Sequence, residues 1–308
     1  MNDSVRVYAP ASVSNVGPGF DLMGFAMEEP GDVLTVRTNT QGNLRIVNNT
    51  PSSLPVDPSQ NVATVAVKAM LARLESSRGF DLVFERKIKP GSGIGSSAAS
   101  CTAAVFGVNE LLGKPFSPEQ LIEFALEGEF LASGSLHADN IAPAMLGGFV
   151  LIRSYEPLDI IQLPFPSDLI CVVVHPDIEI KTAESRKLIP QNPGIRNTLI
   201  QCGNLAGLIT GLITTDYALV SRSLHDAIAE PVRAHLIPGY FSLKQDLLDA
   251  GAIGANISGS GPSVFALTNR METARKLSGL MELAFHSQGI ACEVYISTIS
   301  AHGTRSID

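Results

Sequence analysis

Apolar residues alternate with polar ones, or cluster in short runs, at Val5 to Ala9, Val33 to Thr38, Leu44 to Val47 and Leu82 to Phe84, which predicts strands covered on one or both faces. Between them the spacing changes to that of a helix. Asn61 to Glu75 sets Val62, Val65, Ala66, Ala69 and Met70 on one stripe, Ala98 to Leu112 is rich in alanine and aliphatics, and Pro118 to Phe130 opens with Ser117 as a cap before a first-turn proline. Tyr155 to Asp168 carries Pro157, Pro164 and Pro166 and is the best candidate for a junction between domains at 1–165 and 166–308. Beyond it, Leu169 to His175 reads as a buried strand, and Ile195 to Thr214, Asp216 to Ala229 and Tyr240 to Gly251 read as helices. Ala255 to Ile257, Val264 to Leu267 and Cys292 to Ser297 read as strands around a helix at Met271 to Gln288, so the second half is an α+β sandwich.

Ile141 to Ile152 is too short for the roughly 20 residues of a spanning helix, and Leu199 to Ile213 is broken by Gln201, Asn204 and glycines; both are expected to be buried elements, with no membrane partner. The chain of 308 residues is 45% apolar and 17% charged, as a folded globular protein should be. Its formal net charge of -8 disfavours a nucleic-acid surface. Cys101, Cys171, Cys202 and Cys292 are too widely spaced for a local metal motif and are expected to be reduced core residues. The first residues lack a basic-then-apolar export pattern, so a cytoplasmic location is expected.

The candidate chemistry begins at Lys89-Pro90-Gly91-Ser92-Gly93-Ile94-Gly95-Ser96-Ser97-Ala98-Ala99, between a strand and a helix. Glycines there let backbone amides approach a ligand, and the helix start adds unpaired N–H groups and the positive end of the dipole, together a cradle for phosphate. No lysine stands between the last glycine and the serines, as a Walker loop requires, and the glycine spacing does not fit a dinucleotide fingerprint. A Gly-x-Ser-x-Gly elbow is also missing. By itself such a loop is often only a tight turn, and paired serines cap helices. One hydroxyl is equally well placed to meet a magnesium ion accompanying a nucleotide.

The loop resembles the ATP-binding motif of the GHMP kinases, small-molecule kinases of galactose, homoserine, mevalonate and phosphomevalonate, with Ile94 where leucine is usual and Lys89 where proline is common. Two further segments resemble that family's signatures, Pro10-Ala11-Ser12-Val13-Ser14-Asn15-Val16-Gly17-Pro18-Gly19-Phe20-Asp21-Leu22-Met23-Gly24 and Ile257-Ser258-Gly259-Ser260-Gly261-Pro262-Ser263, so the likeness spans nearly the whole chain. It implies an α+β, two-domain GHMP kinase fold: an N-terminal ribosomal-S5-domain-2-like α/β domain, a C-terminal ferredoxin-like α/β sandwich, and an active site in the cleft between them.

The resemblance also implies ATP and Mg²⁺ as cofactors, with Lys89 to Ala99 around the nucleotide and Ser97 and Glu129 as metal ligands. Sugar and mevalonate kinases generally place an aspartate where this chain has Asn140, whose amide is a poor base. His137-Ala138-Asp139-Asn140 is instead the pattern of the members that act on homoserine. The implied reaction converts ATP and L-homoserine to ADP and O-phospho-L-homoserine, a step toward threonine. Catalysis would rest on Asn140, Glu129 and Ser97 through alignment, magnesium and positive charge, without a general base. Glu127 and Asp139 are expected to be solvated turn residues; Asp139 as a substitute for the missing base is the less favoured alternative, since the homoserine-type pattern itself reads His-Ala-Asp-Asn.

An amino-acid alcohol needs an anion for its ammonium, a cation fork for its carboxylate and a polar group for its hydroxyl. The candidate set is Asn15, Asp21, His137, Asn140, Arg186, Arg233 and Gly259, with Asp21 toward the ammonium, the arginines toward the carboxylate and His137 linking loops. Taken singly, each arginine is an ordinary surface ion-pair partner; agreement with the family's positions lifts them above that. Other small alcohols and a silent small-molecule sensor remain alternatives, and retention of both Ser97 and Glu129 argues against the sensor. A homodimer is compatible with this sequence.

Overall fold

In the computed structural model, which describes residues 3–134, 136–180 and 182–308, two sheets share the chain. The first half contributes β1 (Ser4–Ser14), β2 (Met23–Asn39), β3 (Leu44–Asn48), α1 (Val62–Arg73), β4 (Gly79–Arg86), α2 (Ser96–Leu111), α3 (Pro118–Ser133), α4 (Ala138–Leu146), β5 (Phe149–Tyr155) and β6 (Leu158–Leu163). The second half contributes β7 (Ile170–Pro176), α5 (Thr182–Lys187), α6 (Gly194–Thr214), α7 (Tyr217–Ser223), α8 (Glu230–Arg233), α9 (Tyr240–Asp249), β8 (Gly254–Ile257), β9 (Val264–Thr268), α10 (Met271–His286), β10 (Cys292–Thr298) and β11 (Arg305–Ile307).

The larger sheet has seven strands, in the order β11-β1-β2-β4-β3 with β5 branching from β2 and β6 from β5; only β3 and β4 run parallel. The smaller is antiparallel, β10-β7-β9-β8, the strand order of a ferredoxin-like unit, with α9 and α10 packed on it. Small side chains let α2 lie almost wholly buried between β1, α1 and α3: Ala98, Ala99, Ala103 and Ala104 are all solvent-inaccessible. Phe265 and Leu267 of β9 join the same apolar core as Phe25 and Phe149, so the two sheets are welded over a common interior.

Local chemistry accounts for the helix starts. Ser117 and Gln120 form a reciprocal capping box before α3, with Pro118 in the first turn, and Asn61 caps α1 through Ala63 N–H at 3.0 Å. Several expectations need correction. Leu158–Leu163, inside the proline-bearing segment, is a strand because it pairs with β5. Asp216 to Ala229 is not one helix: α7 ends at Ser223, and the buried Asp226 accepts hydrogen bonds from Ile228, Ala229 and Glu230 N–H, which starts α8 afresh. Ile141 to Ile152 divides at Gly147 and Gly148 between α4 and β5. Cys101 and Cys171 are core residues, whereas Cys202 is exposed on α6 and Cys292 half-buried; all four are free thiols. No helix among the described residues is long and apolar enough to cross a membrane.

Candidate active site

The three signature segments meet. The loop after β4 turns through left-handed backbone at Gly91, Gly93 and Gly95, and Gly95 caps α2. A Cβ at Gly95 would lie 2.0 Å from Ser12 Oγ, so only glycine permits both the turn and this contact with the first segment. The third segment grips the loop from the other side: Ser258 Oγ donates to Gly93 O at 2.6 Å and Ser263 Oγ to Ser92 O. The cradle is thus held by both halves of the chain, and it borders a cavity of about 350 Å³.

Ser97 Oγ donates to Glu129 Oε2 of α3 at 2.7 Å. Glu129 is 8% exposed, and burial pushes its carboxyl up to about 7, against the bond from Ser97. Among the described residues no group of three or more His, Cys, Asp or Glu side chains could hold a metal ion. Two oxygen donors beside a phosphate cradle still fit magnesium, which takes few protein ligands and completes its shell with phosphate and water.

The loop residues divide by role. Ile94, Ala98 and Ala99 bury their side chains in the core, and Ser96 Oγ turns back to Ile88 O at 2.8 Å, which leaves these positions only their backbone for a ligand. Lys89 does not line the cavity. Its ammonium pairs with Asp177 at 2.7 Å on the exposed side. Lys87 lines it instead: its side chain is 3% exposed, 3.2 Å from Asp32 and 2.8 Å from Ser96 O. Burial pushes the Asp32 carboxyl up and the Lys87 amine down, and their attraction opposes both shifts. Asp32 also accepts from Ile88 N–H and Ser100 Oγ, each at 2.8 Å, and so pins β2 to the loop and α2. Leu54, Pro55, Asn61, Val62 and Phe84 line a further part of the cavity. Sequence reading missed Lys87 and this group, because nothing local distinguishes them from ordinary strand-end and loop residues.

The polar candidates Asn15, Asp21, His137, Asn140, Arg186, Arg233 and Gly259 all line the cavity. Asn15 Nδ2 donates to Gly259 O at 2.7 Å, and Asn15 Oδ1 accepts from Asp21 N–H at 3.0 Å. Arg233 Nη1 donates to the same Gly259 O at 3.0 Å. Arg186 Nη2 reaches both oxygens of Asp21 at 2.7 and 2.8 Å and lies 3.4 Å from His137 Nδ1. Both guanidiniums stack over the Phe20 ring, 5.4 and 5.1 Å from its centroid. The Nε–H groups of Arg186 and Arg233 are buried and have no hydrogen-bond partner among the described residues. Burial, with the two arginines, lowers the His137 pKa and favours the neutral ring, opposed by Asp21. Tyr155 Oη donates to Asp21 O at 2.7 Å and accepts from Ala138 N–H at 3.3 Å, which joins β5, the Asp21 loop and the start of α4.

Asn140, in the first turn of α4, donates from Nδ2 to Ser14 Oγ and accepts at Oδ1 from Ser12 Oγ, both at 2.9 Å. The close fit of α4 against β2 depends on Gly24, where a Cβ would sit 1.8 Å from Asp139 O. Asp139 is not a solvated turn residue. It is 2% exposed, in the first turn of α4, which packs against β1 and β2. Glu127 is exposed, on α3 rather than in a turn.

Comparison with known proteins bears on this arrangement. The model described as "GHMP kinases N terminal domain" matches residues 61–148, and "GHMP kinases C terminal" matches 208–280. The chain is 43% identical to a homoserine kinase of Chlorobium phaeobacteroides (strain BS1), with 99% of each chain covered, and 42% identical to one of Chlorobaculum tepidum, covering 99% and 98%. Among solved structures, homoserine kinase from Cytophaga hutchinsonii superposes with a TM-score of 0.95 at 43% identity, covering 100% of this chain and 98% of that one. Mevalonate kinase of L. major, at 18% identity and a TM-score of 0.73, covering 95% of each chain, shares the fold.

Proposed function

Because the chain belongs to the GHMP kinase family, we propose that it transfers the γ-phosphoryl group of ATP to the hydroxyl of L-homoserine, giving ADP and O-phospho-L-homoserine. The observation that carries the choice of acceptor is the pair of buried, partnerless Nε–H groups of Arg186 and Arg233 on one aromatic ring, beside the Asp21 carboxylate. Unsatisfied guanidinium donors call for an anion, and a carboxylate fits their geometry. Asp21 keeps lone pairs beyond those used by Arg186, enough to take an ammonium. A zwitterion matches both demands at once; mevalonate and sugars lack the ammonium.

The triphosphate would lie on the amides of Gly91 to Ala98 at the positive end of α2. The walls formed by Leu54, Pro55, Val62 and Phe84 suit the flat adenine base. Ser97 and Glu129 would hold Mg²⁺, which supplies positive charge to the phosphate oxygens as charge redistributes in a loose transition state. Asn140, fixed by Ser12 and Ser14, orients the acceptor hydroxyl toward the cradle. Four free thiols agree with a reducing compartment such as the cytoplasm.

The test is a coupled ADP-release assay with Mg²⁺ and ATP across homoserine, mevalonate, galactose and shikimate. Homoserine should be turned over well and the others poorly. Mevalonate turned over as fast as homoserine would overturn the assignment.

A further inference from the structure

Gln201, which interrupts the apolar sequence of α6, is the polar member of that helix's buried face, alongside Leu208, Gly211 and Leu212. It stands outside the residues that line the cavity. A buried amide is costly unless its groups are paired, and this one is paired at both ends. Nε2 donates to Pro18 O and to Asp226 Oδ1, both at 3.0 Å, and Oε1 accepts from Ala227 N–H at 2.8 Å. Its two amide protons are thus spent on two separate segments, and each segment carries residues of the acceptor site.

Both segments lead to the cavity by a short path. Pro18 stands just ahead of Phe20 and Asp21, in a loop where Asn15, Val16 and Asp21 have left-handed backbone, with φ of 68°, 38° and 58°. A β-branched residue such as Val16 rarely adopts that conformation, so the loop keeps its shape only while its surroundings hold it. Asp226 accepts from Ile228, Ala229 and Glu230 N–H at 2.8, 2.9 and 2.9 Å and so fixes the start of α8, which ends at Arg233. The paths rejoin at the site, where the Arg233 guanidinium lies over the Phe20 ring and shares Gly259 O with Asn15 Nδ2. Gln201 closes this ring on the side away from the cavity.

We infer that Gln201 is a positioning residue for the acceptor: it sets the separation between Asp21 and Arg233, and so between the groups that take the ammonium and the carboxylate, a conclusion that rests on the proposed kinase reading. Packing alone does not fix that separation. A Cβ at Gly17 would lie 3.2 Å from Leu224 Cδ1, so the loop already touches the segment before Asp226, and Asn204 Nδ2 ties that segment to α6 through His225 O at 2.9 Å. These contacts keep the pieces together, but apolar contact is non-directional and lets the loop slide on Leu224. An amide bonded to both pieces at set distances and angles removes that freedom. The phosphate cradle is braced elsewhere, by Ser258 on Gly93 O and Ser263 on Ser92 O, so loss of Gln201 should reach the acceptor and spare the nucleotide.

The experiment is titration calorimetry of L-homoserine in the presence of Mg²⁺ and ADP, and of ADP with Mg²⁺ alone, on wild type, Gln201→Met, Gln201→Glu and Leu247→Ala. Gln201→Met keeps the bulk of the side chain and removes both donors; it should weaken homoserine binding about tenfold and leave the ADP constant within about twofold. Leu247→Ala, in the apolar core of the smaller sheet, lowers stability without touching the ring and should leave both constants within about twofold. Gln201→Glu sets a second carboxyl against Asp226. At pH ~8 it repels Asp226 and offers no proton, whereas at pH ~5.5 a proton shared by the pair restores a donor, so its homoserine deficit relative to wild type should shrink as pH falls while that of Gln201→Met does not. Homoserine binding by Gln201→Met within about twofold of wild type, or equal losses for homoserine and ADP, would overturn the assignment. Where Gln201→Met does not fold, the pH series of Gln201→Glu decides, since the protonated carboxyl has nearly the shape of the native amide. If wild type binds no homoserine, the substrate reading fails separately, and the same series with the alcohol that does release ADP still judges Gln201.

Discussion

Glu129→Gln separates a metal ligand from a merely buried acid, because the two roles move stability in opposite directions. The carboxyl sits at about 7 in the folded chain against an ordinary value of 4.5. At about 1.4 kcal/mol per pH unit, this gap sets roughly 3 kcal/mol against the ionised form. The folded state binds the proton more tightly, so stability falls as pH rises from 4.5 and the loss is complete once pH has passed about 7. Glutamine keeps an oxygen to accept the 2.7 Å bond from Ser97 but never ionises. With an unfolding entropy of about 2.1 cal/mol/K per residue over 308 residues, roughly 3 kcal/mol corresponds to about 5 °C. The ligand-free variant should therefore melt about 5 °C above wild type at pH ~8.5 and within about 1 °C of it at pH ~5. Adding Mg²⁺ and ADP should reverse the order, since the wild-type carboxylate then faces a cation and the variant has lost that charge. Melting curves at both pH values, with and without Mg²⁺ and ADP, measure all four quantities. A variant that melts below wild type at pH ~8.5 without ligand, or gains as much from Mg²⁺ and ADP as wild type does, would refute the reasoning.

Arg186→Leu and Arg233→Leu should each raise the homoserine KM by about thirtyfold, near 2 kcal/mol, and leave the ATP KM almost unchanged; an effect confined to ATP would reassign both. The larger loss is expected at Arg233, which is more deeply buried and also holds Gly259 O. Gly95→Ala forces a Cβ into Ser12 Oγ at a left-handed position, so ATP affinity by titration should drop at least about tenfold and stability by about 1–3 kcal/mol, and unchanged ATP binding would count against the cradle. Lys87→Met leaves Asp32 buried without its cation and should cost about 3–5 kcal/mol in denaturant unfolding, much of it regained by adding Asp32→Leu; a neutral single variant would contradict the buried pair.

Local sequence determined a good deal of this protein. The cap at Ser117, the stripe of α1 and the small-residue run of α2 depend on neighbours within a turn or two, and all three appear where the periodicity sets them. The glycine loop was legible because backbone shape and close approach restrict residue type, and the convergence of the three segments followed from their likeness to one family. Tertiary structure decided what no local pattern encodes. Strand β11 closes the larger sheet beside β1, with Arg6 opposite Ile307 across almost the whole chain. Leu158–Leu163 is a strand because β5 lies beside it, despite its flanking prolines. Asp226 ends one helical stretch and begins another through bonds that periodicity does not see. Lys87 enters the cavity and Lys89 leaves it, because the strand end fixes one side chain against Asp32 while the loop turns the other toward Asp177. Asp139 shows the limit most clearly. As sequence it is one more acid in a polar segment; folded, it is buried where α4 closes on β2 at Gly24, and that loss of water pushes its carboxyl up to about 7.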